Sequence, residues 1–296
     1  MTALLWGIEE DAPLAAVRAA LERRGARVTF IDQRRAHETE VELRSDGRVT
    51  GTITCGGAET DLDGVRSMYL RPYDPRKLSD ESGDALALSD ALQAFADTSD
   101  ATVVNRPAAN ASNASKPYQA TLIRAAGLDV PETLVTSDPD LVVPFWERHG
   151  AIVYKSASGV RSIVAQFTPE HRARLERVAH CPTQFQQYVA GVDVRIHVVA
   201  GEAFSCSIVS DDDDYRYAAA RGRFTRIDSF DPPDEIVERA IRVTDALGLL
   251  VSGIDLRRTP DGRWFCFEVN PSPGFSYYES ETGLPIAAAI AKLLVS

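Results

Sequence analysis

The sequence predicts an α/β unit at the start, followed by two further sections that mix helices with strands. Three observations lead there. The chain opens in a strand–helix–strand order. Its later apolar runs are strand-length pieces separated by amphipathic helices, and its last third is dominated by paired strand patterns.

The opening strand is ALLWGI, residues 3–8, an apolar run fit for burial. From Pro13 to Arg24 the apolar residues Leu14, Val17, Ala20 and Leu21 recur at helical spacing, and Gly25 is a suitable stop. ARVTFID, 26–32, is the second strand, and the order implies a parallel sheet with a right-handed crossover. The alternating stretch from 40 to 70 predicts a hairpin around Asp46-Gly47. GVRSMYL (64–70) predicts a strand, Leu86 to Phe95 a helix, and ATVVN (101–105) a short strand ending this unit. A second section starts near Asn105, with a helix from Ala111 to Ala126 and a strand over Pro131–Val135. A helix over 138–149, the strands AIVYK and SIVAQF (162–167), a helix from Pro169 to Ala179 and the extended TQFQQYV (183–189) follow. The third section holds a hairpin from 194 to 210 and a helix over about 233–247. Strands at 248–258 and 263–270 pair around Pro260-Asp261-Gly262, and a final helix covers about 285–294.

The 296 residues suit one large lobe or two to three small ones, and 44% hydrophobic with 25% charged residues is the composition of a globular protein. A net charge of -11 argues against broad binding to nucleic acid or to an anionic membrane. The N-terminus has no charged region ahead of an apolar stretch, and no run approaches the ~20 apolar residues of a membrane span. A cytoplasmic protein with neither nucleic acid nor membrane as partner is expected. Cys55, Cys181, Cys206 and Cys266 stand singly, which argues against zinc; Cys206 and Cys266 read as buried small hydrophobes.

Chemistry concentrates near the C-terminus. Glu268 and Asn270 are two apart in the strand CFEVN and share a face, and a hairpin would bring Asp255 of GIDLRR beside them. Two carboxylates and an amide oxygen are hard ligands suited to Mg²⁺ held jointly with phosphates. The alternative is an edge strand whose polar side faces water. Lys116 opens a helix, and Lys155 ends a strand before the small-residue loop SASGVRS, where a lysine and backbone N–H groups can meet phosphate. In QFQQYVAGVDVRIHVV, an extended crossing can line a flat aromatic ligand. There Asp193 and Arg195 again share a strand face, and Arg195 suits a phosphate or a developing negative charge; a cross-strand salt bridge is the plainer reading. His197 falls on that same face and reads as a buried structural histidine, whereas His37, His149, His171 and His180 read as surface residues.

The order Lys116, Lys155, QQYV, G-x-D-x-R, then Asp255 with E-x-N resembles the ATP-grasp superfamily. Within it, the chain is most similar to ribosomal-protein glutamate ligases and to peptide-macrocyclising ligases that make ω-ester or ω-amide bonds. The resemblance covers about residues 105–275. It implies an ATP-grasp fold with a leading α/β domain (1–104), a central lobe (105–188) and a C-terminal lobe carrying a metal site (189–296). ATP would lie between the two α+β lobes, with Lys116 and Lys155 at its phosphates, Gln186, Gln187, Tyr188 and Val189 at the adenine, and Asp193 at the nucleotide end of the pocket. Asp255, Glu268 and Asn270 would hold Mg²⁺, with Mn²⁺ as a substitute. Arg195, with Arg216 and Arg221 of YRYAAARGRF, would stabilise the γ-phosphate or an acyl phosphate. The loop SASGVRS is shorter and poorer in glycine than the family's phosphate-covering loop, and Gln187 stands where Glu is commoner.

The activity so implied is ADP-forming ligation of a carboxylate to an amine of an amino acid or peptide. A nucleotide-binding regulator without turnover and a phosphotransferase are the competing classes. A homo-oligomer is left open.

Overall fold

The structure is a computed structural model and describes residues 2–78, 82–156, 164–210 and 224–296. Strand β1 (Thr2–Gly7) leads to helix α1 (Ala12–Arg23) and strand β2 (Arg27–Asp32), which pairs with β1 in parallel. The helix starts where it does because the Asp11 carboxylate accepts the Leu14 N–H at 2.9 Å. It stops at Gly25, whose φ of +72° suits a residue without Cβ. Strands β3 (Thr39–Ser45), β4 (Val49–Cys55) and β5 (Ala58–Asp61) form a separate antiparallel sheet, of which β5 was not expected. The chain then returns as β6 (Val65–Leu70), crosses helix α2 (Ser82–Thr98) and adds β7 (Thr102–Val104), giving a parallel sheet in the order β2-β1-β6-β7.

The helix expected from 111 to 126 is instead a 3-10 segment, Pro107–Ala114, followed by α3 (Lys116–Ala125). Pro117 has no N–H and fits only a first helical turn, so the α-helix begins there. Strands β8 (Thr133–Thr136), β9 (Ile152–Ser156), β10 (Ala165–Gln166) and β11 (Thr183–Gln187) make an antiparallel sheet in the order β10-β9-β11-β8, with helices α4 (Val142–His149) and α5 (Pro169–Arg172). The predicted strand over 162–167 is limited to β10 among the described residues. The predicted helix from 169 to 179 is the single turn α5 and a 3-10 segment, Leu175–His180. That stretch offers only Leu175 and Val178 as large apolar residues, too few to dock a longer helix.

The last sheet runs β14-β13-β12-β15-β16, all antiparallel: β12 (Val192–Val199), β13 (Glu202–Ser210), β14 (Thr225–Ser229), β15 (Val251–Arg258) and β16 (Trp264–Asn270). Ala200 and Gly201 both have positive φ, 47° and 84°, the two-residue turn that matches strand twist. Helix α6 (Asp234–Ala246) precedes β15, and α7 (Ser276–Thr282) and α8 (Ile286–Leu294) close the chain. Of these, α7 was not expected, because SYYESET carries no helical apolar period.

Separate apolar clusters fill the layers. Ile123 of α3 and Ile236, Ala240 and Val243 of α6 pack on Ile196, Ile254 and Val269 of the last sheet. Ile286, Ile290 and Leu294 of α8 pack with Leu5 of β1 and Val17 of α1, so the C-terminal helix completes the N-terminal core. Val142, Phe145, Ile152, Phe167, Val178 and Phe185 form a cluster of their own. Buried Asn105 ties the first sheet to the last: its Nδ2 donates to Val251 O and Pro271 O, both at 2.6 Å, and its Oδ1 accepts Leu250 N at 2.8 Å and Val251 N at 3.1 Å. Among the described residues no helix is long and apolar enough to cross a membrane.

Candidate functional site

Three strands of the last sheet present one charged row. Arg195 of β12 lies opposite Asp255 of β15, which lies opposite Glu268 of β16. One step along, Asp193 faces Arg257; in the other direction His197 faces Gly253, which faces Asn270. The motif D-x-R thus occurs on both β12 and β15, and antiparallel pairing matches each acid with the other strand's arginine. Arg195 Nη1 donates to Asp255 Oδ1 at 2.5 Å, while Arg257 grips Asp193 with Nε–Oδ1 2.7 Å and Nη2–Oδ2 3.0 Å. Both are cross-strand salt bridges, the plainer reading of this face, and Arg257 is a site residue that sequence reading passed over. Its signal was present: a second D-x-R in the facing strand.

A bulge sharpens the row. Asp255 pairs with Glu268 but Leu256 with Cys266, leaving Phe267 as the extra residue. Such an insertion re-aims side chains, and Phe267 and Glu268, although adjacent, both line the same cleft.

Arg195 is only 5% exposed and is held on every side. Its guanidinium carbon stands 5.5 Å from the Tyr278 ring centroid. It lies over Gly253, where a Cβ would come within 2.1 Å of Nη2. Its Nε donates to His197 Nε2 at 3.3 Å, which puts the neutral ring's proton on Nδ1. That Nδ1 has no hydrogen-bond partner among the described residues. Burial first, then the neighbouring guanidinium, holds His197 well below the usual histidine range. The expectation of a buried histidine is met at 197. His149 and His171 are half-buried rather than exposed. His149 stacks 4.6 Å from Phe145, and His171 accepts the Thr168 N–H at 3.1 Å beside Tyr154 and Phe167.

A cleft of about 390 Å³ lies between the middle and last sheets. It is lined by Lys155, Gln186, Gln187, Tyr188, Val189, Asp193, Asp255 and Glu268, with Phe267 and Arg257. The backbone of the crossing is partly committed. Gln187 N donates to Glu132 O at 2.9 Å and Tyr188 N to Ala151 O at 3.0 Å, while Val189 O accepts Arg257 Nη1 at 2.8 Å. The Val189 N–H makes no hydrogen bond among the described residues. Gln186 and Gln187 turn their side chains to Thr133 and to the Glu132 N–H. Arg216 and Arg221 lie outside the described residues, as does most of the loop after Lys155.

Lys116, at the start of α3, forms an ion pair with Glu268. On the next turn, buried Gln119 donates Nε2 to Val269 O at 2.8 Å and accepts Val269 N at 3.0 Å, a reciprocal pair with the edge strand. The N-P-S-P-G loop after Asn270 is held from the first sheet. Arg71 Nη1 donates to Pro273 O at 3.0 Å and Ser272 Oγ at 3.1 Å, while its Nε donates to Asp11 at 2.6 Å. Buried Tyr69, beneath Arg71, has its phenol pushed up to about 12 by desolvation.

The donor set fits a hard divalent cation. Asp255 and Glu268 are like charges set directly opposite, an arrangement that costs stability unless cations balance it. Their side chains are each about one-third exposed, at 33% and 32%, toward the cleft. Asn270 Oδ1 accepts Ser272 N at 2.9 Å and keeps a second lone pair. No group of three His, Cys, Asp or Glu among the described residues could hold a metal unaided. Two carboxylates and an amide suit an ion that takes its remaining ligands from water and phosphate.

Comparison with known proteins fits this geometry. Residues 113–294 match the RimK-like ATP-grasp domain. A ribosomal protein bS6–L-glutamate ligase of Salmonella paratyphi B is 28% identical over 180 residues, 56% of this chain and 58% of the relative. The chain thus spans little more than half the length of the curated relatives it matches. Among solved structures, the macrocyclase MdnC of Microcystis aeruginosa, bound with the precursor peptide MdnA, superposes with a TM-score of 0.85 at 25% identity over 100% of both chains. The ATP-grasp ligase PsnB, complexed with a precursor variant, Mg and ADP, gives 0.82 at 26% identity, covering 99% of this chain and 97% of that one. With more than half its length matched and the sheets arranged in the same way, the chain belongs to the family of RimK-like ATP-grasp domains.

Proposed function

We propose that this protein is an ADP-forming ligase that joins a peptide side-chain carboxylate to an amine. The observation that carries the reading is the row Arg195–Asp255–Glu268, which borders the cleft that also contains Lys155 and has Lys116 at its end. A carboxylate repels the γ-phosphate of ATP, so the site must supply cations on both sides of the transferring group. Mg²⁺, held by Asp255, Glu268 and Asn270, would supply charge neutralisation between the phosphates.

The chain's own residues do the rest. The Val189 N–H meets the adenine edge, and Tyr188 and Phe267 border its faces. Lys155 and Lys116 take phosphate oxygens. Arg195 spreads charge as the phosphoryl group leaves ADP for the carboxylate oxygen. The acyl phosphate is then attacked at its carbonyl carbon by the amine nitrogen. The C–O bond to phosphate breaks, phosphate departs with the electron pair, and the amine proton is lost. Arg71, fixed by Asp11, holds the N-P-S-P-G loop beside Asn270.

Peptides are the favoured substrate because the superposed macrocyclase and the ligase PsnB are each described with a precursor peptide. The test is ADP and phosphate release across amino acids and short acidic peptides, followed by product mass. Loss of one water per ADP formed, in a peptide carrying both Asp or Glu and Lys, is the expected result. A stable phosphorylated product would replace the ligase by a phosphotransferase.

A further inference from the structure

We infer that Gln119 is a positioning residue for the cation site, acting as a surrogate strand along the outer edge of β16. The inference rests on the assignment of Glu268 and Asn270 to a divalent cation. Strand β16 is the last of its sheet, so one side of its backbone faces away from β15. An edge residue whose N–H and C=O lack partners is free to twist or slip. Val269 is that residue: it sits between Glu268 and Asn270, and its own side chain is fully buried. Gln119 supplies both missing bonds with one amide, donating at 2.8 Å and accepting at 3.0 Å, and is itself 1% exposed.

The geometry gives the pair a second consequence. Gln119 and Lys116 are three apart on α3 and share a face. The amide that pins Val269 also sets the height at which Lys116 meets Glu268. A one-residue rotation of β16 would turn Glu268 and Asn270 away from Asp255. Gln119 thus fixes the angle of two oxygen donors without touching the ion. Residues that orient ligands in this way typically change metal affinity by about 10- to 100-fold when removed.

The experiment compares ADP binding with and without Mn²⁺, by calorimetry, in wild type, Gln119→Met and Glu268→Gln. The Met variant keeps the volume but loses both bonds. Its metal-free ADP affinity should change much less than the Mn²⁺ gain, because the adenine end of the cleft lies on another element. The gain in affinity on adding Mn²⁺ should fall by about tenfold. The Val269 amide should exchange faster while the amides of β12 keep their protection. A Met variant with the full Mn²⁺ gain, alongside Glu268→Gln that has lost it, overturns the role of Gln119. A full Mn²⁺ gain in Glu268→Gln overturns the cation assignment instead. Gln119→Asn, one methylene shorter, gives the same comparison if the Met variant does not fold.

Discussion

Arg195 rests on the bare backbone of Gly253, so a methyl group at that position has no room. In Gly253→Ala the guanidinium must move by more than an ångström, and turnover should fall about 100-fold while ADP affinity changes little. Steady-state ADP release and nucleotide titration check this; unchanged turnover would separate Arg195 from the chemistry. Arg195→Lys should lose comparable activity, since a point charge cannot contact Asp255, His197 and a phosphate together. His197 makes a pH prediction. Its folded-state pKa is depressed, so below about pH 6.5 the unfolded chain binds a proton that the native site refuses. Stability should therefore fall as pH drops from about 6.5 toward 5, and His197→Gln should lose that part of the slope in urea unfolding curves. Spacing by two along a strand made Asp193, Arg195, Asp255, Glu268 and Asn270 readable as face-sharing sets. The same spacing marks Arg257 beside Asp255, but it could not reveal Gly253 or Gln119, whose parts depend on which elements become neighbours.

Elements were legible where turn chemistry or period marks them. Asp46-Gly47 and Asp261-Gly262 announce hairpins, and α1, α6 and α8 carry clear apolar stripes. Strand β5 and helix α7 are short, polar and stabilised by neighbours, so local pattern says little of them. The junction after β7 shows how one side chain can join elements. Asn105 satisfies four backbone groups around Val251 and Pro271. Asn105→Ala would leave several of them buried without partners and should lower stability by about 3 kcal/mol. Chemical denaturation measures it, and a loss below about 1 kcal/mol would mean that water replaces the amide.

Across the whole molecule, the C-terminal helix serves the N-terminal sheet. Ile290 is fully buried between α1 and the first sheet, and Ile290→Ala should cost about 2–5 kcal/mol. Because α8 joins both ends of the chain, hydrogen exchange should rise in β1 as well as in β12; a rise in one alone would show that they open separately. The middle sheet behaves differently, because Val142, Phe145, Ile152, Phe167, Val178 and Phe185 pack among themselves. Those six side chains keep their mutual contacts whatever angle the section takes to its neighbours. The width of the cleft between the middle and last sheets is thus governed by two brief chain crossings, 127–132 and 188–191, and tilting the section would uncover none of its oil.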